Sequence, residues 1–190
     1  MKTIIYSPGD PAGIGPDIFL SLMHEGFFEY IKANVVCMGD KELFHSRSKE
    51  LGYSLEINSF SNINDINEKV GFLEIIKCHD ISSGILNSTN SEYVIENLDF
   101  AIDTCVKKMG FGLVTGPISK ENIIEGGYSF SGHTERIMQK TNSDNVLMLL
   151  ASERLKVALA TTHMPISKVP ESITKEPVSY THLRAHETVR

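Results

Sequence analysis

Short apolar runs alternate with stretches of helical periodicity along most of the chain. Residues 3–7 and 34–38 are β-branched, aromatic and apolar, as buried strands are. Each run is followed by a turn and then by a stretch with helical apolar periodicity. The first predicted helix covers 14–23 and the second 41–51. Gly39-Asp40 forms the turn and N-cap before the second helix. Residues 53–81, rich in Asn and Ser, predict only a small strand-rich excursion.

The clearest amphipathic helix covers residues 91–109, where apolar side chains recur at i, i+3, i+4 and i+7. Residues 113–115 predict a further strand, and Ser119 is placed to cap a short helix that runs through Ile124. Two more strands are predicted at 146–151 and 156–160. Strands that alternate with helices in this way predict an α/β protein with a largely parallel sheet.

Composition and charge narrow the class of protein. The 190 residues are 41% hydrophobic and 22% charged, which is typical of a globular chain. The net charge of -6 argues against a nucleic-acid scaffold. No apolar run approaches the ~18 residues of a membrane helix, and no signal-peptide segment precedes Pro8. Three cysteines without CxxC spacing are expected to be reduced, buried thiols: Cys37, Cys78 and Cys105. These features predict a soluble cytoplasmic protein that binds neither nucleic acid nor membrane.

Candidate chemistry lies in loops at predicted strand ends, where ligands bind in open α/β sheets. The first loop, 9–16, reads Gly-Asp-Pro-Ala-Gly-Ile-Gly-Pro and permits close backbone approach before a helix. It matches neither the dinucleotide fingerprint nor the P-loop. The sequence leaves two interpretations of this loop open, a ligand contact and packing alone.

The second group of residues surrounds His133. This histidine follows Gly132 at a predicted helix start, where it can donate to a phosphate or carboxylate, and Thr134 adds a hydroxyl and an N–H group. The alternative is that Thr134 merely caps a helix whose first turn carries Glu135. Lys120, in the loop after the strand 113–115, is either an electrostatic anchor or a solvated lysine.

The third candidate is His163, which follows the strand 156–160 and precedes Pro165 by two positions. It is a plausible metal ligand. One histidine does not make a site, however, because a catalytic divalent metal usually has about three protein ligands. The other histidines are predicted to be bystanders: His24, His45, His79, His182 and His186.

Four segments in this order, 7–17, 114–120, 130–135 and 157–165, resemble the 4-hydroxythreonine-4-phosphate dehydrogenase family. The resemblance covers residues 2–174. It implies a fold similar to that of the isocitrate and isopropylmalate dehydrogenases, with two α/β lobes and no Rossmann glycine fingerprint.

The resemblance also implies an activity. The family oxidises the secondary alcohol of 4-phosphooxy-L-threonine with NAD or NADP, and the resulting β-keto acid decarboxylates to 3-amino-2-oxopropyl phosphate in pyridoxal phosphate biosynthesis. A divalent metal (zinc, magnesium or cobalt) holds the reacting oxygen. By motif, His133 and Thr134 resemble the substrate-binding pair and His163 the first metal ligand. No catalytic or cofactor-binding residue follows, and the roles of Lys120 and of loop 9–16 stay open.

The chain also departs from the family, whose members are roughly twice as long. The part beyond the counterpart of Thr174 holds two more metal-ligand histidines, one of them from the partner subunit of a homodimer, and most of the nicotinamide surface. We therefore expect 1–174 to be the N-terminal portion of the dehydrogenase and 175–190 to be an unrelated tail from a frameshift or chimeric join. Two alternatives remain: a paralogue acting on threonate or erythronate 4-phosphate, and a non-catalytic, truncated chain.

Overall fold

A computed structural model describes residues 2–143, 146–161 and 164–174 of the chain, which divides into two compact units, Met1–Asn142 and Ser143–Arg190. The first unit is built on a five-stranded sheet with the order β3-β4-β2-β1-β5, and all of its strand pairs are parallel. Its strands are β1 (Lys2–Ser7), β2 (Ala33–Met38), β3 (Ser59–Phe60), β4 (Val70–Leu73) and β5 (Gly112–Thr115). The prediction of an α/β unit with a parallel sheet is confirmed.

Five α-helices accompany this sheet, together with short 3-10 turns at Phe27–Tyr30, Ile63–Asp65 and Ser88–Asn90. The helices are α1 (Gly15–His24), α2 (Lys41–Glu50), α3 (Ser91–Val106), α4 (Lys120–Glu125) and α5 (His133–Thr141). Two predicted caps are confirmed, since Asp40 accepts from the Glu42 N–H and Ser119 accepts from the Asn122 N–H. Within the described residues, no helix is both long enough and apolar enough to cross a membrane.

The predicted helix 91–109 is too long by three residues, because α3 ends at Val106. Lys108 has a φ of 60°, in the left-handed region. The N–H groups of Met109 and Gly110 then both bond back to the Thr104 carbonyl. This left-handed turn ends the helix although the apolar periodicity continues past it.

Apolar side chains cover both faces of the sheet, as expected for parallel strands. On one face, the ring of Phe19 lies at the centre of an aromatic group, 4.9 Å from Tyr6, 5.0 Å from Phe28 and 5.6 Å from Phe72. On the other face a smaller cluster consists of Ile5, Val36, Met38, Leu73 and Ala101. Full burial of a side chain such as Phe19 stabilises the fold by about 1.5–3 kcal/mol.

The second unit contains the hairpin β6 (Met148–Ala151) and β7 (Lys156–Leu159), followed by a 3-10 turn at Ile166–Lys168 and the single turn α6 (Val169–Ser172). Both predicted strands are confirmed, and they pair with each other in antiparallel register. A tight turn joins them, in which the Ser152 N–H donates to the Leu155 carbonyl at 2.8 Å. So short a connection permits only an antiparallel pair.

One face of the first unit leaves apolar side chains uncovered. A groove of about 280 Å³ lies between α1, the Phe27–Tyr30 turn and strands β1 and β5, and it is lined by apolar and aromatic side chains. Ile18, Phe27 and Val114 on its walls are exposed. Strand β5 is at the edge of the described sheet.

Candidate functional site

The candidate site forms where the connections from two neighbouring strands diverge. Strand β1 lies between β2 and β5, so the chain leaves β1 towards one side of the sheet and later returns to the other side. Loop 8–14 follows β1, and loop 116–119 follows β5. Such a switch point at the carboxyl ends of parallel strands is where α/β folds bind ligands. The sequence-predicted glycine loop and the loop that leads to Lys120 therefore meet at this edge.

The glycines allow these two loops to pack backbone against backbone. Gly9 has a φ of 79°, and a Cβ there would overlap the Pro117 carbonyl oxygen. A Cβ on either Gly15 or Gly116 would overlap the Pro8 carbonyl oxygen. These contacts give Gly9 and Gly15 of loop 9–16, and Gly116 of the neighbouring loop, a packing reason for having no side chain. A ligand contact by loop 9–16 stays a prediction.

Asp10 links the glycine loop to helix α4. It is 3% exposed; its Oδ1 accepts from the Ala12 N–H at 2.9 Å, and its Oδ2 accepts from the Asn122 side-chain amide at 3.3 Å. Burial raises the pKa of Asp10, and these two hydrogen bonds oppose the shift. The sequence analysis missed both residues of this link. An acidic residue in a loop at a strand end was a signal for Asp10, but nothing local pointed to Asn122.

Arg47 braces the same loop from helix α2, and the sequence analysis missed it as well. Its guanidinium is 5% exposed, donates from Nη2 to the Pro11 carbonyl at 3.0 Å, and lies 3.3 Å from Asp17 Oδ1 on helix α1. Burial raises the pKa of Asp17, while the charge of Arg47 acts in the opposite direction. The loop is therefore fixed on two sides, by Arg47 and by Asn122.

Helix α5 begins at His133, as the sequence predicts, and Gly132 occupies its N-cap position without a side-chain cap. The alternative in which Thr134 caps the helix is wrong, because Thr134 lies inside the first turn. The helix N-terminus therefore presents His133 and Thr134 together with N–H groups that have no intrahelical acceptor.

The imidazole of His133 is partly buried. Its Nε2 is inaccessible to solvent and has no hydrogen-bond partner among the described residues. The Phe130 ring packs edge-on against it, with centroids 5.8 Å apart. Burial lowers the pKa of His133, and the nearby charge of Lys120 lowers it further, so the neutral imidazole is favoured. A buried polar atom without a partner costs about 1–3 kcal/mol, which a ligand that hydrogen-bonds to Nε2 would offset.

Lys120 lies beside this histidine. A Cβ built on Gly132 would be 3.5 Å from Lys120 Nζ and 2.7 Å from Glu135 Oε2, so both charged groups meet at the residue before His133. The structure thus brings together Lys120, His133 and Thr134, which the sequence analysis singled out separately. Their combination of cation, imidazole and helix N-terminus suits an anionic ligand.

Ion pairs hold helix α5 against helix α3. Arg136 donates from Nε and Nη2 to the two carboxylate oxygens of Asp99 at 2.7 and 2.6 Å, and Lys140 donates to Asp103 at 3.2 Å. None of the side chains of α5 is fully buried. These charged contacts, together with the packing of Ile137 against the core, hold His133 and Thr134 in place.

The predicted metal ligand His163 lies outside the described residues, as do His182, His186 and all of 175–190. In the parts of the chain that are described, no group of three His, Cys, Asp or Glu side chains could hold a metal ion. His24 stacks on the Tyr53 ring with centroids 4.2 Å apart, which is a packing contact.

The three cysteines are free thiols. Cys37 is buried, as expected, and burial raises its pKa. Cys78 is only partly buried and donates from Sγ to Asp40 Oδ2 at 3.2 Å, so it is a polar contact rather than a simple apolar residue. Burial, followed by the hydrogen bond to Asp40, raises the pKa of the Cys78 thiol.

Comparisons with known proteins agree with the resemblance seen in the sequence. The chain is 37% identical over 179 residues to a 4-hydroxythreonine-4-phosphate dehydrogenase of Sodalis glossinidius, covering 92% of this chain and 53% of that protein. The protein of the same name from Vibrio cholerae is 36% identical, with 92% and 53% covered. The chain thus spans about half the length of the curated relatives that it matches.

Solved structures show the same fold. A 4-hydroxythreonine-4-phosphate dehydrogenase from Burkholderia phymatum superposes with a TM-score of 0.85 at 22% identity, covering 100% of this chain and 58% of that one. The enzyme from Klebsiella pneumoniae gives 0.80 at 21% identity, with 94% and 56% covered. The expected isocitrate dehydrogenase-like fold is confirmed, and this chain corresponds to a little more than half of it.

A family profile described as pyridoxal phosphate biosynthetic protein PdxA matches residues 31–190. The match runs through 175–190, and the interpretation of that segment as an unrelated tail stays a prediction. Because the profile covers most of the chain and the relatives agree with it, this protein belongs to the PdxA family of pyridoxal phosphate biosynthetic proteins.

Proposed function

We propose that this chain forms the first part of a cytoplasmic 4-hydroxythreonine-4-phosphate dehydrogenase. The enzyme would oxidise the secondary alcohol of 4-phosphooxy-L-threonine with NAD or NADP, giving a β-keto acid that decarboxylates to 3-amino-2-oxopropyl phosphate. The names of the relatives support this substrate. Within the structure, the observation that carries the proposal is the buried Nε2 of His133, which has no partner among the described residues.

His133, Thr134 and Lys120 are here named the anion-binding corner. A neutral His133 can donate from Nε2 to a phosphate or carboxylate oxygen without adding a buried charge of its own. Thr134 contributes a hydroxyl and a backbone N–H in the first turn of α5, where the helix dipole favours negative charge. Lys120 supplies the positive charge that such a ligand needs. The corner thus suits the phosphorylated end of the substrate, or its carboxylate.

The proposal assigns His163 to a divalent metal as one ligand. The metal would be zinc, magnesium or cobalt, and when bound it would stabilise negative charge that develops on the reacting oxygen. The described residues contain no three-ligand group that could complete this site. The remaining ligands and the nicotinamide site would come from chain beyond the matched half, with one histidine from the partner subunit of a homodimer.

Two rival functions remain. Threonate and erythronate 4-phosphate also offer a phosphate and a vicinal alcohol, so the anion-binding corner would serve a paralogue equally well. A non-catalytic protein that binds without turnover is the other alternative. Turnover and chain length together separate these possibilities.

The experiment is to add a cleavable affinity tag at the N-terminus of the gene in its own cell, purify the product, remove the tag, and record the intact mass and the NAD(P) reduction. We expect a mass near twice 21.1 kDa and turnover with 4-phosphooxy-L-threonine. Faster turnover with threonate 4-phosphate would replace the proposal by the paralogue. A mass of 21.1 kDa without turnover would identify a non-catalytic chain.

A further inference from the structure

We propose that Asp10 and Asn122 are positioning residues: their hydrogen bond fixes helix α4 so that Lys120 stays beside His133 in the anion-binding corner. This inference rests on the proposed function, which is what assigns the anion-binding corner to the substrate. It adds two residues that lie outside the motif-based substrate and metal assignments.

Helix α4 has six residues, too few to be stable by itself in water. It is held by contacts that converge on one residue, Asn122. The Asn122 backbone N–H donates to Ser119 Oγ, its carbonyl accepts from Ser91 Oγ at 3.0 Å, and its side chain donates to Asp10. The next residue, Ile123, is completely buried. The orientation of α4 is therefore set from outside the helix.

Among these contacts, only the one to Asp10 joins α4 to the loop after strand β1. The Asp10 backbone N–H also donates to the Pro117 carbonyl, just before α4 begins. Asp10 therefore contacts loop 116–119 at Pro117 and helix α4 at Asn122. Without the Asn122 amide, a buried carboxylate oxygen would lose the donor that it has among the described residues. Leaving a buried carboxylate oxygen without a donor is costly in free energy, so this hydrogen bond is well suited to fix the position of α4.

Lys120 is the residue whose position this link controls. It lies two residues before Asn122 in the same helical turn, and its Nζ reaches Gly132, the residue next to His133. Lys120 is itself exposed, so packing of its own side chain does not fix it. A rotation of α4 would move Lys120 away from His133 while leaving the histidine on α5.

The test uses the 190-residue chain without substrate, so it does not depend on turnover. The first readout is the nuclear Overhauser contact between the Lys120 side chain and the Gly132 Hα protons. The second is the titration of His133 followed by imidazole NMR, with Lys120→Met as the reference for loss of the neighbouring cation. Lys120 and Glu135 are the charged groups that meet at Gly132 beside this histidine.

We expect Asn122→Ala to lose the Lys120–Gly132 contact and to raise the pKa of His133 by at least half of the shift seen in Lys120→Met, because it removes the amide that Asp10 accepts from. Asp10→Ala should do the same, because it removes the acceptor of the Asn122 amide. The exchanged pair Asp10→Asn/Asn122→Asp should restore both readouts. In that pair the new amide in the glycine loop can still accept from the Ala12 N–H, and it can donate to the new carboxylate on α4. A merely structural role would not predict this rescue of the histidine titration.

Asp40→Ala is the matched control. Asp40 is 3% exposed, like Asp10, and accepts backbone N–H groups, but its partners are Glu42 and Cys78 rather than any residue of α4. It should leave both readouts at the parent values. The proposal is overturned if Asn122→Ala and Asp10→Ala leave the His133 titration unchanged, if the exchanged pair does not restore it, or if Lys120→Met has no effect. Failure of the proposed function would instead show as absent turnover with the His133 results intact.

Discussion

Arg136 on α5 and Asp99 on α3 form a two-hydrogen-bond ion pair between these helices. The guanidinium meets the carboxylate through two hydrogen bonds of 2.7 and 2.6 Å, and the two side chains are 21% and 16% exposed. Replacement of Arg136 by Gln removes the charge and the paired hydrogen bonds of the guanidinium but keeps a polar side chain. Since no side chain of α5 is fully buried, we expect the helix to open locally before the sheet unfolds.

The size of the effect follows from this geometry. A hydrogen bond to a charged group contributes about 1.5–3 kcal/mol when it is shielded from water. Both side chains here retain about a fifth of their exposure, which reduces the value, since exposed ion pairs contribute at most about 1 kcal/mol. Lys140 remains 3.5 Å from Asp99 and keeps part of the charge balanced. We therefore expect a loss of about 1.5 kcal/mol, or roughly tenfold in the opening equilibrium of α5.

Native-state amide hydrogen exchange, followed by NMR, measures this opening directly. In Arg136→Gln, the amides in the last turn of α5 should exchange about tenfold faster, while those in the middle of α3 keep their rates. Asp99→Asn should give a similar acceleration, and the double variant should add little, because both changes remove the same contact. Lys107→Gln, which removes an exposed charge next to α3, is the control.

The reasoning would be refuted by unchanged exchange across α5 in Arg136→Gln. It would also be refuted if Lys107→Gln accelerated amide exchange in α5 equally, since the effect would then come from net charge rather than from the Arg136–Asp99 hydrogen bonds. A uniform acceleration of α3 and α5 would mean that the two helices open together.

Three further predictions concern the remaining contacts of the site. Arg47→Met should lower the urea-derived free energy of unfolding by about 1–3 kcal/mol, because it removes the donor to the Pro11 carbonyl and the charge beside the partly exposed Asp17, whereas the exposed Lys49→Met should change it little. Gly15→Ala should cost about 1–3 kcal/mol or more from backbone overlap, whereas Gly112→Ala, with open space at its Cβ, should be nearly neutral; thermal melts compare the two. The pKa of His133 is lowered on folding, so the unfolded chain binds the proton more tightly and stability falls as pH drops below about 6.5. His133→Gln should therefore lose less stability than the parent between pH 7.5 and 5.5, as measured by urea titration.

Local features of the fold could be predicted from the sequence because their causes are local. The caps Asp40 and Ser119 lie directly before the helices that they start, and both hydrogen bonds are present. Apolar periodicity located α3 but did not locate its end, because the left-handed turn at Lys108 depends on the backbone rather than on the hydrophobic pattern. His133 was placed correctly at a helix start because Gly132 precedes it.

The contacts that shape the site could not be predicted in the same way. Asp10 and Asn122 are 112 positions apart in the sequence, and only the sheet order brings β1 and β5 together. In the sequence, Arg47 is indistinguishable from the other charged residues of a polar helix. Its burial follows from the packing of α2 against α1. Tertiary burial of single charged residues has no periodic signal in one sequence, so the supporting residues of the corner emerge only from the structure.

The most direct test of the central claim is the kcat/KM for 4-phosphooxy-L-threonine of His133→Asn, measured against the parent protein purified from its own cell. His133 is proposed to donate from a buried Nε2 to a charged oxygen of the substrate, an interaction of about 1.5–3 kcal/mol. We therefore predict a decrease of at least about tenfold, with hydrogen exchange in α3 unchanged. A His133→Asn protein with the parent value of kcat/KM would contradict the assignment of this histidine to the substrate.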